Sequence, residues 1–180
     1  MRMSIAMKKL RRLGCGLVCL IVLIGIMGFG FSIFKKVPSD AELASFFVQH
    51  KKDFVTLVSM LSSEPSEIVG ITRHHVMLKE PWHQVSHQEA NISTSRFDLY
   101  QKLMSKNDVQ QVWRHDAETL IAAGFSGWGF ASKGPRLAYV YRQDAPSNLV
   151  ETLDGIKKHD SGWTTVYRRL ANHWFIRLTL

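Results

Sequence analysis

The pattern of apolar and polar positions divides the chain into one long apolar run and a region of shorter periodic segments. The run covers residues 13–34 and reads LGCGLVCLIVLIGIMGFGFSIF, without a charged side chain. As a helix it would reach about 33 Å, which is enough to cross a hydrocarbon core of about 30 Å. The pattern therefore predicts a tail at 1–12, a transmembrane anchor at 13–34 and one domain at 35–180.

Two helices are predicted in the domain. The first is capped by Ser39 and, because Glu42 follows three residues later, has the spacing of a capping box; it runs to about Leu61. The second begins after Ser93 and ends near Asn107. The first helix carries a largely apolar stripe at helical spacing, typical of a face packed on a sheet. The stripe consists of Leu43, Phe47, His50, Phe54, Val58 and Leu61.

The remaining periodic segments predict strands. Ile68 to Leu78 is interpreted as one strand, and residues 81–93 as a connection. Four short runs separated by turn residues then indicate an antiparallel meander. They are Val109–His115, Thr119–Phe125, Trp128–Ala131 and Leu137–Arg142. Ser147 is expected to cap one helical turn through Leu153. Two helices and an antiparallel sheet give an α+β fold.

The chain ends in a predicted hairpin. A two-residue turn at Ala171-Asn172 would pair Thr165 with Leu178, and two residues later Tyr167 with Ile176. One face of the hairpin would then be mostly large and apolar. A shift of this register by one residue would exchange the two faces.

Charge gives the anchor its orientation. The tail holds five basic residues and no acidic one, which favours a cytoplasmic amino terminus and an exported domain. The domain is therefore expected on the non-cytoplasmic side of the membrane. A cleaved signal peptide stays open, although the apolar run is long and lacks a small-x-small site. A lipoprotein is disfavoured because neither Cys15 nor Cys19 has a leucine three residues ahead.

Composition excludes some classes of partner. The net charge is +8, but the five basic residues of the tail leave only +3 for the domain. That is too little to indicate a nucleic-acid surface. The expected partners are instead the bilayer, whose anionic lipid heads the basic tail can contact, and another envelope protein. Both cysteines lie in the apolar run, so the domain can form no internal disulfide. Gly28 and Ser32 are four residues apart, but the oligomeric state stays open.

The histidines suggest a metal site only weakly. His83, His87 and Glu89 have a conceivable ligand spacing, whereas adjacent His74 and His75 would point to opposite faces of a strand. Solvated loop histidines are the simpler interpretation. No metal ligand and no cofactor are therefore predicted.

Catalytic motifs are not recognisable either. The run GFSGWG at 124–129 matches neither the Gly-x-Ser-x-Gly motif nor a phosphate loop, and it is interpreted as a glycine turn between strands. An enzyme would require tertiary folding to gather distant groups such as His115, Asp116 and Lys133. No catalytic residue is assigned on this basis.

Four runs in the second half of the chain read IAAGFSGWGFASKG, LAYVYR, LVETLDG and VYRRLANHWFIRL. In these runs the chain resembles a family of small, uncharacterised, membrane-anchored proteins of the bacterial envelope. Members are expected to have an N-terminal membrane segment, a helix near a pattern like DAELASFFVQHKKDFVTLVSML, and an aromatic pair such as Trp174-Phe175 in a terminal hairpin. This chain departs at the last turn, where Asn172-His173 replaces Gly-Asn. The resemblance implies this architecture but no activity. It also implies a location at the inner membrane of a bacterium, with the amino terminus in the cytoplasm and the domain in the periplasm or otherwise outside the cytoplasm.

Three functions remain compatible with the sequence. The favoured hypothesis is an accessory domain that binds a protein or ligand at the envelope. The alternatives are an envelope hydrolase with a site assembled from scattered residues, and a structural spacer. A deep polar pocket would favour the hydrolase, and an exposed aromatic patch would favour the binding domain.

Overall fold

A computed structural model describes residues 38–80, 83–123, 136–156 and 164–180. The predicted tail at 1–12 and anchor at 13–34 lie outside the described residues. The described residues all fall in one compact unit, Pro38–Leu180. Among them, no helix combines the length and apolar character required to cross a bilayer.

Helix α1 spans Asp40–Ser62 and confirms the predicted capping box. The Ser39 hydroxyl accepts from the Glu42 backbone N–H at 3.4 Å, and Glu42 accepts from the Ser39 backbone N–H at 2.7 Å. These bonds satisfy amide groups that have no partner within the helix. The helix start is therefore set by the local sequence.

Helix α2 spans Thr94–Lys106, capped by Ser93 as predicted, and it also secures the end of α1. The last turn of α1 contains no basic residue. Arg96 of α2 takes that role, donating from Nη2 to the Met60 carbonyl at 2.9 Å and from Nε to Glu64 Oε1 at 2.8 Å. A cation at exposed helix carbonyls also complements the helix dipole.

The described strands form one nine-stranded sheet in the order β3-β2-β1-β4-β5-β6-β9-β8-β7. The strands are β1 (Ile68–Thr72), β2 (Val76–Leu78), β3 (His83–Val85), β4 (Val109–His115), β5 (Glu118–Ala123), β6 (Arg136–Tyr141), β7 (Leu149–Val150), β8 (Thr165–Ala171) and β9 (Trp174–Thr179). Only β7 and β8 pair in parallel among these strands; every other pair is antiparallel. The predicted α+β class is thus confirmed.

Both helices pack on one face of the sheet, which we call the inner face. The core there is aromatic: the Phe54 ring lies 5.1 Å from that of Tyr139, and the Phe47 ring lies 5.2 Å from that of Trp174. The Tyr139 hydroxyl donates to the Leu43 carbonyl at 3.0 Å, so its polar end is satisfied inside the core. Burial raises the pKa of this hydroxyl.

A second, smaller apolar cluster lies on the opposite face, which we call the outer face. Its buried members are Leu120, Ala138, Val140, Tyr167 and Phe175. They alternate along their strands with inner-face residues, as the pleat requires. The strands of the sheet centre are therefore apolar on both sides, unlike a strand with one wet face.

The prediction of one strand at Ile68–Leu78 is wrong. The chain reverses between β1 and β2, which pair as a hairpin. The Thr72 hydroxyl accepts from the backbone N–H groups of His74 and His75 at 3.3 and 2.9 Å. A Ser/Thr turn of this kind needs no glycine or proline, so the sequence carried no strong signal for it. His74 and His75 consequently lie in a turn rather than in a strand.

Two further predictions need correction. The connection at 81–93 contains strand β3, which pairs with β2. The helical turn expected from Ser147 to Leu153 is absent from these described residues, which instead contain the short strand β7, paired in parallel with β8. The Tyr167 backbone N–H donates to the Asn148 carbonyl at 3.1 Å. This carbonyl therefore bonds to strand β8 rather than to an amide of a helical turn. The strand predicted at Trp128–Ala131 lies outside the described residues.

The terminal hairpin is confirmed, but its predicted register is wrong by one residue. Leu178 pairs with Val166 rather than with Thr165, and the turn is Asn172–His173 rather than Ala171-Asn172. His173 has a φ of 61°, in the left-handed region. A β-bulge before Ala171 accommodates the shift. Val166 and Leu178 therefore share the inner face.

Candidate binding groove on the outer face

A buried carboxylate organises the polar part of the outer face. Glu118, only 8% exposed, begins β5. Its Oε1 accepts from the Tyr167 hydroxyl at 2.8 Å and from Arg142 Nη1 at 2.6 Å. Its Oε2 accepts from Arg177 Nη1 at 3.4 Å. Burying a carboxylate is costly without such partners, so this cluster, which we call the Glu118 network, must form as a unit.

The Glu118 network also changes the pKa of Tyr167. Burial, and then the hydrogen bond to Glu118, raise the pKa of Tyr167. The Arg142 guanidinium also lies 5.9 Å from the centre of the Tyr167 ring, within the range of a cation–π contact. Tyr167 and Arg142 are therefore held firmly, whereas Arg177 makes the longest of the three contacts with Glu118.

A groove of about 460 Å³ lies beside this network. Strands β4, β5, β6 and β9 form it, so it crosses four neighbouring strands. The described residues that line it are Gln111, Trp113, His115, Leu120, Ala122, Arg136, Leu137, Ala138, Arg177 and Thr179. Its volume falls within the range that holds small ligands or a few side chains.

The groove exists because small side chains meet on adjacent strands. Gln111 pairs with Ala122, and Ala138 pairs with Arg177, so alanines occupy the middle positions and longer side chains the two ends. Trp113 pairs with Leu120 and forms one large apolar wall. Close approach of β1 supports this wall, since Gly70 pairs with Trp113 and a Cβ at Gly70 would lie 2.8 Å from the Trp113 Cβ.

The described lining of the groove is basic. It includes two arginines, Arg136 and Arg177, together with His115, and none of its described side chains is acidic. Arg136 pairs with Thr179 and Arg177 with Ala138, which makes the two arginines diagonal neighbours on one face. Such diagonal neighbours lie about 7–8 Å apart across the strand pair, so both arginines belong to the same end of the groove.

The conceivable metal site is not assembled. Glu89 accepts from the Ser86 backbone N–H at 2.8 Å, and this bond lowers the pKa of Glu89. The His87 ring stacks on Phe97 with 4.7 Å between centroids. His83 lies on exposed strand β3. Within the part of the chain that the structure describes, no group of three His, Cys, Asp or Glu side chains has the arrangement of a metal site.

The scattered catalytic candidates are brought together only in part. His115 lines the groove, and its Nδ1 lies 3.2 Å from Asp116 Oδ2 at the turn between β4 and β5. Asp116 is 87% exposed, so water screens this pair strongly. Lys133 and the glycine turn at 124–129 lie outside the described residues.

Sequence reasoning missed the residues that define the groove. Arg136, Ala138, Arg177 and Ala122 occupy alternate positions of their strands, which places them on one face. That face became visible only when the strand order was known, because β6 pairs with β9 rather than with its next neighbour in the chain. An acidic residue at the start of a buried strand, Glu118, was the one local signal available.

Comparisons with protein-family models, with curated proteins and with solved structures found no match to this chain. The resemblance to membrane-anchored envelope proteins therefore stays a prediction.

Proposed function

We propose that this chain is a single-pass, membrane-anchored protein of the bacterial envelope whose domain binds another envelope protein through the outer-face groove. The apolar run at 13–34 and the basic tail before it support the anchor and its orientation. The observation that carries the binding role is the groove itself. It combines an aromatic wall at Trp113 with Arg136 and Arg177.

Tryptophan and arginine are the residue types most enriched at the energetic centres of protein interfaces. The groove lies on the sheet face opposite the helices, so a partner can reach the outer face without disturbing the packing of α1. An accessory or inhibitory subunit would use the domain in this way. The affinity of the domain for its partner would come from a few buried anchor residues rather than from the total area buried in the interface.

Site-specific photo-crosslinking in the native envelope tests this role. A photoreactive residue at Gln111 or Thr179, both in the groove, is expected to give a discrete crosslinked adduct. The matched control is Gln49, an exposed position of α1 on the helix side. Equal adducts at Gln49 and in the groove, or none in the groove, would contradict the proposal.

One observation favours the hydrolase alternative, namely the contact between His115 and Asp116 at the groove. A carboxylate that orients an imidazole is a component of many acid–base sites. The test is a hydrolytic screen with the His115→Gln variant alongside the unmodified chain. Activity that this substitution abolishes would replace the binding role by an enzymatic one.

A further inference from the structure

We infer that Asn91 is an acceptor site for N-linked glycosylation, which attaches an oligosaccharide to the nitrogen of its side chain. The chain reads EANIS at 89–93, and Asn-x-Ser, with x any residue except proline, is the acceptor pattern of this modification. Enzymes of the bacterial type also select an acidic residue two positions before the asparagine, which is the place of Glu89. The inference rests on the proposed function only for the export of the domain.

Asn91 is the only one of the four asparagines that has this pattern, because Asn107, Asn148 and Asn172 lack a hydroxyl residue two positions later. Two of these three also serve the fold. Asn107 is 1% exposed and its Nδ2 donates to a carbonyl of α2 at 2.6 Å, and the side chain of Asn148 donates to a carbonyl of β8. The side chain of Asn91 is instead exposed.

The loop presents the two recognised side chains to solvent. Asn91 and Ser93 are exposed, whereas Ile92 between them is 5% exposed and belongs to the inner-face core. Asn91 has a φ of 55°, a left-handed conformation that asparagine adopts more readily than most residues. Its backbone N–H donates to the Gln88 carbonyl at 3.0 Å, and a glycan on the side-chain nitrogen leaves this bond in place.

Glu89 supplies a negative charge beside the acceptor. Its Oε2 accepts from the backbone N–H and from the hydroxyl of Ser86, both at 2.8 Å. The bonds from Ser86 lower the pKa of Glu89, so the carboxylate is ionised at neutral pH. Because Glu89 is also exposed, its charge is available to a basic recognition site on the enzyme.

The transfer uses an oligosaccharide carried on polyprenyl pyrophosphate as its donor. The bond between the anomeric carbon and the pyrophosphate oxygen breaks, and a bond from that carbon to Asn91 Nδ2 forms. One amide proton passes to a base of the enzyme and polyprenyl pyrophosphate leaves, so no oxidant or reductant is required. An amide nitrogen is a weak nucleophile because its lone pair is delocalised into the carbonyl. The enzyme is therefore required, and it orients the acceptor by binding the Ser93 hydroxyl.

The acceptor loop is separate from the outer-face groove. The loop at 86–93 joins β3 to α2, and β3 is the outermost described strand at its end of the sheet. Strands β2 and β1 lie between β3 and β4, the nearest strand of the groove, so three spacings of about 4.8 Å place them about 14 Å apart. A glycan on Asn91 would lie near the β3 edge, where a bulky polar group hinders pairing with another chain.

The test expresses the full chain in a bacterium that carries a single-subunit oligosaccharyltransferase and its lipid-linked oligosaccharide. Living cells are used because Ile92 packs in the core, so the enzyme must reach the loop before Ile92 packs or when the loop opens locally. The intact mass of the purified chain should increase by one glycan, and peptide mapping should place that glycan on Asn91. The Asn91→Asp variant should lose the increase, while aspartate keeps the size of the side chain and tolerates the left-handed φ.

The matched control is Asn172→Asp, which should keep the glycan. Asn172 is also an exposed turn residue, but Trp174 stands two positions later. Ser93→Ala should abolish glycosylation, whereas Ser93→Thr should retain it, since threonine keeps the hydroxyl and also caps helices. Glu89→Gln should lower the glycosylated fraction, because glutamine keeps the capping oxygen and loses only the charge. An undiminished fraction in Glu89→Gln would reject the bacterial type of enzyme.

Three outcomes would overturn the acceptor site. They are no mass increase in the chain without substitutions, an increase that persists in Asn91→Asp, and equal glycosylation of Ser93→Ala and Ser93→Thr. A reporter that works only outside the cytoplasm, fused after Leu180 in the same cells, separates this failure from a failure of the proposed topology. An active reporter on a chain without glycan rejects the acceptor site alone. An inactive reporter rejects the export on which both proposals depend.

Discussion

Replacing Trp174 by alanine should remove a central member of the inner-face core. The ring is 3% exposed and lies 5.2 Å from the Phe47 ring and 5.3 Å from the Tyr141 ring. A buried tryptophan removes about 200 Å² from water, which at about 25 cal/mol per Å² amounts to about 5 kcal/mol. A partly collapsed unfolded chain lowers this figure, so we expect a loss of about 3–5 kcal/mol in the free energy of unfolding.

Urea denaturation of the full chain in a nonionic detergent, followed by far-ultraviolet circular dichroism, measures this loss. With a slope of about 2 kcal/mol per molar urea, the midpoint of Trp174→Ala should fall by about 2 M. The matched control, Trp174→Phe, keeps an aromatic ring and should lose clearly less. A change below about 0.5 kcal/mol for the alanine variant would refute the reasoning, because that is the size expected at an exposed site.

Three further predictions concern topology, metal and pH. An enzymatic reporter that works only outside the cytoplasm should be active when fused after Leu180; activity of a cytoplasmic reporter there would reverse the orientation. A chelator should leave the melting temperature unchanged, and the double substitution of His83 and His87 by alanine should cost little; a chelator-induced fall that this variant abolishes would indicate a metal site. The hydrogen bond from Lys106 lowers the pKa of Asp53. Its stabilisation is therefore present above the unfolded pKa of about 4 and lost as pH falls through the folded value, so Asp53→Asn should flatten the acid limb of stability against pH. An unchanged acid limb would contradict that assignment.

Local sequence was sufficient for the helices and for most strands. The cap at Ser39 and the stripe from Leu43 to Leu61 depend on neighbours within one or two turns, so the pattern contains the information. The same holds for Ser93 and α2.

The errors arose where pairing across the sheet decided the outcome. The prediction of the hairpin register assumed that only one face of the hairpin is apolar. Strand β9 instead buries Trp174 and Ile176 on the inner face and Phe175 on the outer face. With both faces buried, hydrophobic alternation no longer distinguishes neighbouring registers. The groove was missed for a related reason. Its arginines are 41 residues apart in the chain and meet only because β6 pairs with β9.

The shortness of the two outermost described strands limits how the domain can associate. Strand β3 has three residues and strand β7 has two, although the sheet between them holds seven more strands. Exposed strand edges can template the addition of another chain, and very short edges offer few free backbone groups for it. Edge-to-edge pairing of copies through β3 or β7 therefore has few backbone groups to use. The side chains of the two sheet faces offer a larger surface for contacts than these edges do.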